Sequence, residues 1–87
     1  MAKYKLAYKH SVAKDLRRIP NRDIAPILAR IEALANDPRH FGCVKLSGME
    51  RYRVRQGVYR IVYEILDDLL VVTVITVGHR WDLYKGL

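Results

Sequence analysis

Acidic residues are scarce in this sequence. Sixteen lysines and arginines stand against nine aspartates and glutamates, which leaves a formal charge of +7 on 87 residues. Cysteine is scarcer still: Cys43 stands alone. That excludes an internal disulfide framework and suits a reducing, cytoplasmic setting. Lying between Gly42 and Val44, Cys43 reads as a small packing residue. Long apolar runs are missing too. The longest, Leu69 to Val77, contains Thr73 and Thr76 and is far too short to span a membrane. Met1 to His10 alternates lysine with apolar residues and holds no apolar core of signal-peptide length. His10, His40 and His79 are scattered, with no cysteine or carboxylate beside them at ligand spacing, so no metal site and no cofactor are expected. Repeats, linkers and low-complexity segments are also lacking.

What is present is enough for one domain, 1–87, and leaves no room for a second core. Hydrophobic residues make up 51% of the chain, which argues for a packed globule over a disordered tail. A chain of this length buries only about 60–65% of its unfolded surface, so a tight partner would stabilise it by mass action. The excess of positive charge points to a polyanionic partner such as RNA, DNA or an acidic peptide.

Periodicity divides the chain into a helical part and a β part. Residues 3–9 alternate in type and read as a strand. Ser11 is placed to cap a helix carrying Val12, Leu16 and Ile19 on one side, and Pro20 ends or restarts it. From 21 to 36, Ile24, Ile27, Leu28, Ile31, Leu34 and Ala35 recur at helical spacing, until Asn36, Asp37 and Pro38 stop the helix. An extended piece is expected at 43–47, then strands at about 51–56, 58–66 and 69–77. Gln56-Gly57 and Asp67-Asp68 are assigned to the hairpin turns, and Gly78 to the end of the last strand. The expected fold is α+β: an N-terminal strand, an α-helical hairpin and an antiparallel β-meander in two layers.

Strand parity gathers the arginines. Arg51, Arg53 and Arg55 share one face of their strand, while Tyr52 and Val54 share the other. A turn centred on Gln56-Gly57 sets Arg55 opposite Val58, Val54 opposite Tyr59 and Arg53 opposite Arg60. Four arginines then converge on one face of one hairpin. Like charges across a ladder are destabilising, so stability alone does not account for the arrangement. A solvated basic surface partnered by Glu50 and Glu64 is the plainer reading, but two acids cannot neutralise four arginines plus Lys45. A phosphate-binding site accounts for the pattern better, because the planar guanidinium grips phosphate oxygens bidentately and keeps its charge. By the same parity Tyr52, Tyr59 and Tyr63 belong to the core. Arg80 follows Gly78 just past a strand end, where functional side chains are often presented. Tyr84 reads either as an aromatic lid on the core or as a phenol whose pKa is lowered by neighbouring arginines and so fitted for general base work. His79 is a further site candidate, and Trp81 is either a core anchor or a base-stacking group.

The segments Lys45-Leu46-Ser47-Gly48, Tyr52-Arg53-Val54-Arg55, Tyr59-Arg60-Ile61-Val62-Tyr63-Glu64 and Val77-Gly78-His79-Arg80, with Tyr84, resemble in this order the RelE branch of the RelE/ParE toxin superfamily. The resemblance covers nearly the whole chain. It implies a toxin of a type II toxin–antitoxin system, a ribosome-dependent endoribonuclease that occupies the ribosomal A site among ribosomal RNA and cleaves the messenger there without a metal. Carried over by position, Arg53, Arg55, Arg60, Arg80 and Tyr84 are the catalytic candidates, with Lys45, Arg51 and His79 as RNA contacts. The family often has lysine at the positions of Arg53 and Arg55. Arginine cannot deprotonate in a protein, which shifts the general base to Tyr84, with His79 second. The resemblance also implies a cognate antitoxin bound in a hetero-oligomer. A ParE-like inhibitor of DNA gyrase and a non-catalytic RNA-binding module are the rival readings.

Overall fold

A computed structural model of the chain describes residues 3–39, 42–46 and 51–79. The elements run β1 (Lys5–Tyr8), α1 (His10–Arg17), α2 (Asn21–Asn36), β2 (Val44–Lys45), β3 (Arg51–Gln56), β4 (Tyr59–Leu66) and β5 (Val71–His79). They form a five-stranded sheet in the order β1-β5-β4-β3-β2, covered on one face by the two helices. β2 to β5 are antiparallel neighbours, and β1 adds to β5 in parallel. This is the α+β two-layer architecture expected from periodicity.

The core lies between the helices and one face of the sheet. Ile27, Ile31 and Leu34 on α2 are fully buried against Val54, Ile61, Tyr63, Val72 and Val74. Each such side chain contributes about 1.5–3 kcal/mol through removal from water. Val12 and Ile19 complete the stripe from the first helix and the loop after it, and half-buried Leu16 and Cys43 pack at its edge. Leu28 departs from the expected stripe. It lies 100° around the helix from Ile27 and is 37% exposed.

Three local expectations are corrected. Ser11 does not cap α1: Lys9 occupies that position without a side-chain cap, and Ser11 Oγ turns to the Ile75 carbonyl at 3.5 Å. The β3–β4 loop is Gly57-Val58, not Gln56-Gly57. Gly57 has φ +61°, and a positive φ at the first loop position is what a tight hairpin of the II′ kind demands of glycine. The pairing therefore shifts: Arg55 faces Arg60, Val54 faces Ile61 and Arg53 faces Val62. The β4–β5 loop extends through Leu70, whose φ is 53°, so the last strand begins at Val71 and continues past Gly78 to His79.

β5 outruns its parallel neighbour. β1 ends opposite Val74, and beyond it the edge of β5 is met by α1 instead. Asp15 Oδ2 accepts hydrogen bonds from the Val77 N–H at 3.1 Å and the Thr76 hydroxyl at 2.9 Å. At the other end of the sheet Asp67 accepts from the two terminal nitrogens of Arg39, Nη1 and Nη2, at 3.0 and 2.7 Å, and from the Tyr4 hydroxyl at 2.9 Å. These contacts hold the segment after α2 against the β4–β5 turn.

Candidate nucleic-acid interface

The tyrosines of β3 and β4 divide the sheet's two faces. Tyr63 donates its hydroxyl to the Pro38 carbonyl at 2.6 Å, Tyr59 donates to Asp23 on α2 at 2.9 Å, and Tyr52 stacks on Tyr63 at 5.8 Å. All three lie on the helix side, as parity requires. Burial pushes the Tyr63 phenol up, and the hydrogen bond to the Asp23 carboxylate pushes Tyr59 up.

The opposite face carries the arginines in cross-strand rows, since directly paired residues share a face. One row is Arg55, Arg60 and Gly78. The next is Val44, Arg53, Val62 and Thr76. A third holds Arg51, Glu64 and Thr73. Arg51 and Glu64 form an ion pair at 3.0 Å, each side chain 29% exposed.

Arg53, Arg55 and Arg60 border a concavity of about 210 Å³, lined also by Gly42, Val44 and Val54. Among the described residues no carboxylate lines it. Gly42 has φ +99°, and a Cβ there would stand 3.3 Å from Arg30 Nη2, so this lip is bare backbone. Gly78, across from Arg60, likewise adds no side chain. Three fixed cations around an open hollow suit a phosphate or another multivalent oxyanion.

The proposed site residues thus sort by position. Arg53, Arg55 and Arg60 come together. Arg51 shares their face but is bonded to Glu64. Lys45 pairs in register with Tyr52, and His79 with Tyr59, which sets both on the helix side by register. The His79 ring meets Tyr59 edge-on at 6.2 Å. Arg80, Trp81 and Tyr84 lie outside the described residues. Val44 and Gly42 border the concavity but were not singled out from sequence. Their signal would have been the pairing of a two-residue strand with Arg53, which no local pattern reveals. Among the described residues no three His, Cys, Asp or Glu side chains gather as metal ligands, and no helix is long and apolar enough to cross a membrane.

The fold and this face define a small, basic, two-layer domain with an anion-receptive hollow on its open sheet. Residues 6–84 match the family described as the ParE toxin of the type II toxin–antitoxin system parDE. The chain is 28% identical over 86 residues to Toxin RelG of Mycobacterium tuberculosis, covering 94% of this chain and 97% of that protein. The crystal structure of the isolated Escherichia coli RelE toxin superposes with a TM-score of 0.77 at 27% identity, covering 95% of this chain and 93% of that one. The toxin of the intact Escherichia coli RelBE toxin–antitoxin complex superposes with a TM-score of 0.76 at 28% identity, over 87% of this chain and 95% of that one. The chain belongs to the ParE toxin family of type II toxin–antitoxin systems and, within the RelE/ParE superfamily, is a RelE-type toxin.

Proposed function

We propose that this toxin is a ribosome-dependent endoribonuclease that cuts messenger RNA in the ribosomal A site and so inhibits translation. The observation that carries the reading is the Arg55–Arg60 pair, directly opposite in register, which borders one hollow together with Arg53. A fold under selection for stability alone would separate those charges. A scissile phosphate between them converts the repulsion into charge-assisted hydrogen bonds.

In the proposed reaction the ribose 2′-oxygen attacks the adjacent phosphorus. The bond from phosphorus to the 5′-oxygen breaks, leaving a 2′,3′-cyclic phosphate and a free 5′-hydroxyl. Arg53, Arg55 and Arg60 hold the phosphate and stabilise the extra negative charge of the pentavalent state. Tyr84, as the phenolate, takes the 2′-hydroxyl proton. Arg80 stabilises the charge developing on the 5′-oxygen, which takes its proton from water as it leaves. His79 shares Tyr59's side of the sheet, which supports Tyr84 over His79 as the base. Arg51 and Lys45 extend the contact to flanking RNA, including ribosomal RNA.

The proposal includes a cognate antitoxin, supported by relatives solved as toxin–antitoxin complexes. An acidic or amphipathic segment covering the arginine face would neutralise it and stabilise the small domain. The compartment in this reading is the cytoplasm.

The test is to add the purified toxin to programmed ribosomes and map messenger 5′ ends, with the same messenger free of ribosomes alongside. Cuts confined to the A-site codon, seen only with ribosomes and ending in cyclic phosphate, support the reading. The ParE description of the matched family favours a second reading, inhibition of DNA gyrase. A supercoiling assay separates the two: inhibition there without messenger cleavage would sink the nuclease.

A further inference from the structure

The arginine hollow has one apolar wall that phosphate binding does not explain. Among its lining side chains, Val54 points into the core at 1% exposed, while Val44 is 46% exposed. Val44 sits on β2, at the edge of the sheet, directly paired with Arg53. It therefore stands on the arginine face, one row from Arg55 and Arg60. The hollow, at about 210 Å³, has room for roughly seven water molecules at about 30 Å³ each. That is the scale of one sugar–phosphate unit, not of a duplex. Gly42 in its lining leaves backbone where a side chain would crowd such a unit. A phosphate held by the three arginines carries its ribose and base with it, and the apolar surface beside Arg53 is Val44.

We propose that Val44 is a specificity-determining residue: its exposed isopropyl group seats the nucleoside attached to the phosphate held by Arg53, Arg55 and Arg60, and biases which nucleotide is accepted. Phosphate and sugar contacts fix register and carry no sequence information, whereas contacts to the base do. An apolar wall also excludes water from one side of the arginine–phosphate contacts, which strengthens them. The inference rests on the nuclease reading for its biological meaning, but the contact itself is separately measurable.

The experiment compares the unmodified toxin with Val44→Thr and Val44→Ala. Threonine keeps the branched shape and replaces a methyl by a hydroxyl, and at this exposed position neither change should unfold the domain. Two probes are titrated and followed by NMR: a trinucleotide carrying 2′-deoxyribose at its cleavable position, and inorganic pyrophosphate. Both variants should bind the trinucleotide several-fold more weakly and pyrophosphate as before. On programmed ribosomes they should reorder the preference among A-site codons. Unchanged affinity for both probes would overturn the proposal. An equal loss for both would do so too, since Val44 would then merely shape the arginines. If the unmodified toxin fails to cleave on ribosomes, the nuclease reading falls, while the contrast between the two probes still decides the role of Val44.

Discussion

Arg55 and Arg60 are directly paired across the β3–β4 ladder, both on the sheet face opposite the helices. Like charges in that relation typically lower stability by a few tenths to about 1 kcal/mol relative to a neutral pair. Arg55→Gln should therefore leave the urea midpoint unchanged or raise it. If the pair grips the reacting phosphate, the same change should slow single-turnover messenger cleavage about 100-fold or more, the usual cost of removing a group that stabilises transition-state charge. A clear fall in stability with cleavage intact would mean that the pair is structural.

Arg51 should behave differently although it shares that face. Its guanidinium is bonded to Glu64 at 3.0 Å, and half-exposed pairs of this kind contribute about 0–1 kcal/mol. Arg51→Ala is expected to lower stability by less than about 1 kcal/mol and to slow cleavage far less than Arg55→Gln. Comparing the two variants in one cleavage assay checks the assignment, and equal losses would move Arg51 into the reacting group.

Asp67 makes stability depend on pH in the acid range. The Arg39 guanidinium, and then the Tyr4 hydroxyl, hold its carboxyl down at about 2. In the unfolded chain it would titrate near the ordinary aspartate value of about 3.9. A carboxyl depressed on folding stabilises the fold above its unfolded pKa, and the contribution fades as pH falls toward the folded value. The melting temperature should thus exceed that of Asp67→Asn at pH 6, with the gap closing between about pH 4 and pH 2. A gap that persists unchanged to pH 2 would contradict the pairing.

Asp15 anchors the end of β5 where β1 no longer reaches it. Asp15→Ala removes the acceptor of the Val77 N–H and the Thr76 hydroxyl, and should cost about 1–2 kcal/mol. Asp15→Asn keeps one oxygen acceptor and should cost less. Amide exchange at Val77 is the local readout: it should speed up in the alanine variant. Exchange as slow as in the unmodified chain would mean that β5 does not depend on α1.

These relationships differ in how legible they were from sequence. Alternation at residues 51–55 sent the arginines to one face and Tyr52, Tyr59 and Tyr63 to the other, because a strand's period of two leaves no choice once its direction is set. The helical stripe Ile27, Ile31 and Leu34 was equally plain. Register was not. Moving the loop from Gln56-Gly57 to Gly57-Val58 exchanges Arg53 for Arg55 as the partner of Arg60, and only the demand for a positive φ at the glycine selects between them. The bulge on β5 was also hidden. The register shift between Val62 and Tyr63 leaves Ile75 outside the ladder, so the buried positions pass from Val72 and Val74 to Val77. That shift sets His79 on the helix side with Tyr59, where simple alternation from Val72 would have turned it toward the arginines. Pairings between distant segments, Val44 with Arg53 and Asp15 with Val77, carry no local signal at all. The resemblance to RelE toxins, by contrast, was readable from short arginine- and tyrosine-bearing segments in the right order.

The most direct test of the central claim is single-turnover cleavage on programmed ribosomes by the unmodified toxin, Arg60→Ala and Tyr84→Phe, with ribosome binding measured in parallel. The account predicts A-site cutting by the unmodified toxin, near-complete loss in both variants, and ribosome binding retained by Tyr84→Phe. Cutting that survives in Arg60→Ala at the unmodified rate would contradict it, because the facing arginines would then have no part in the reaction.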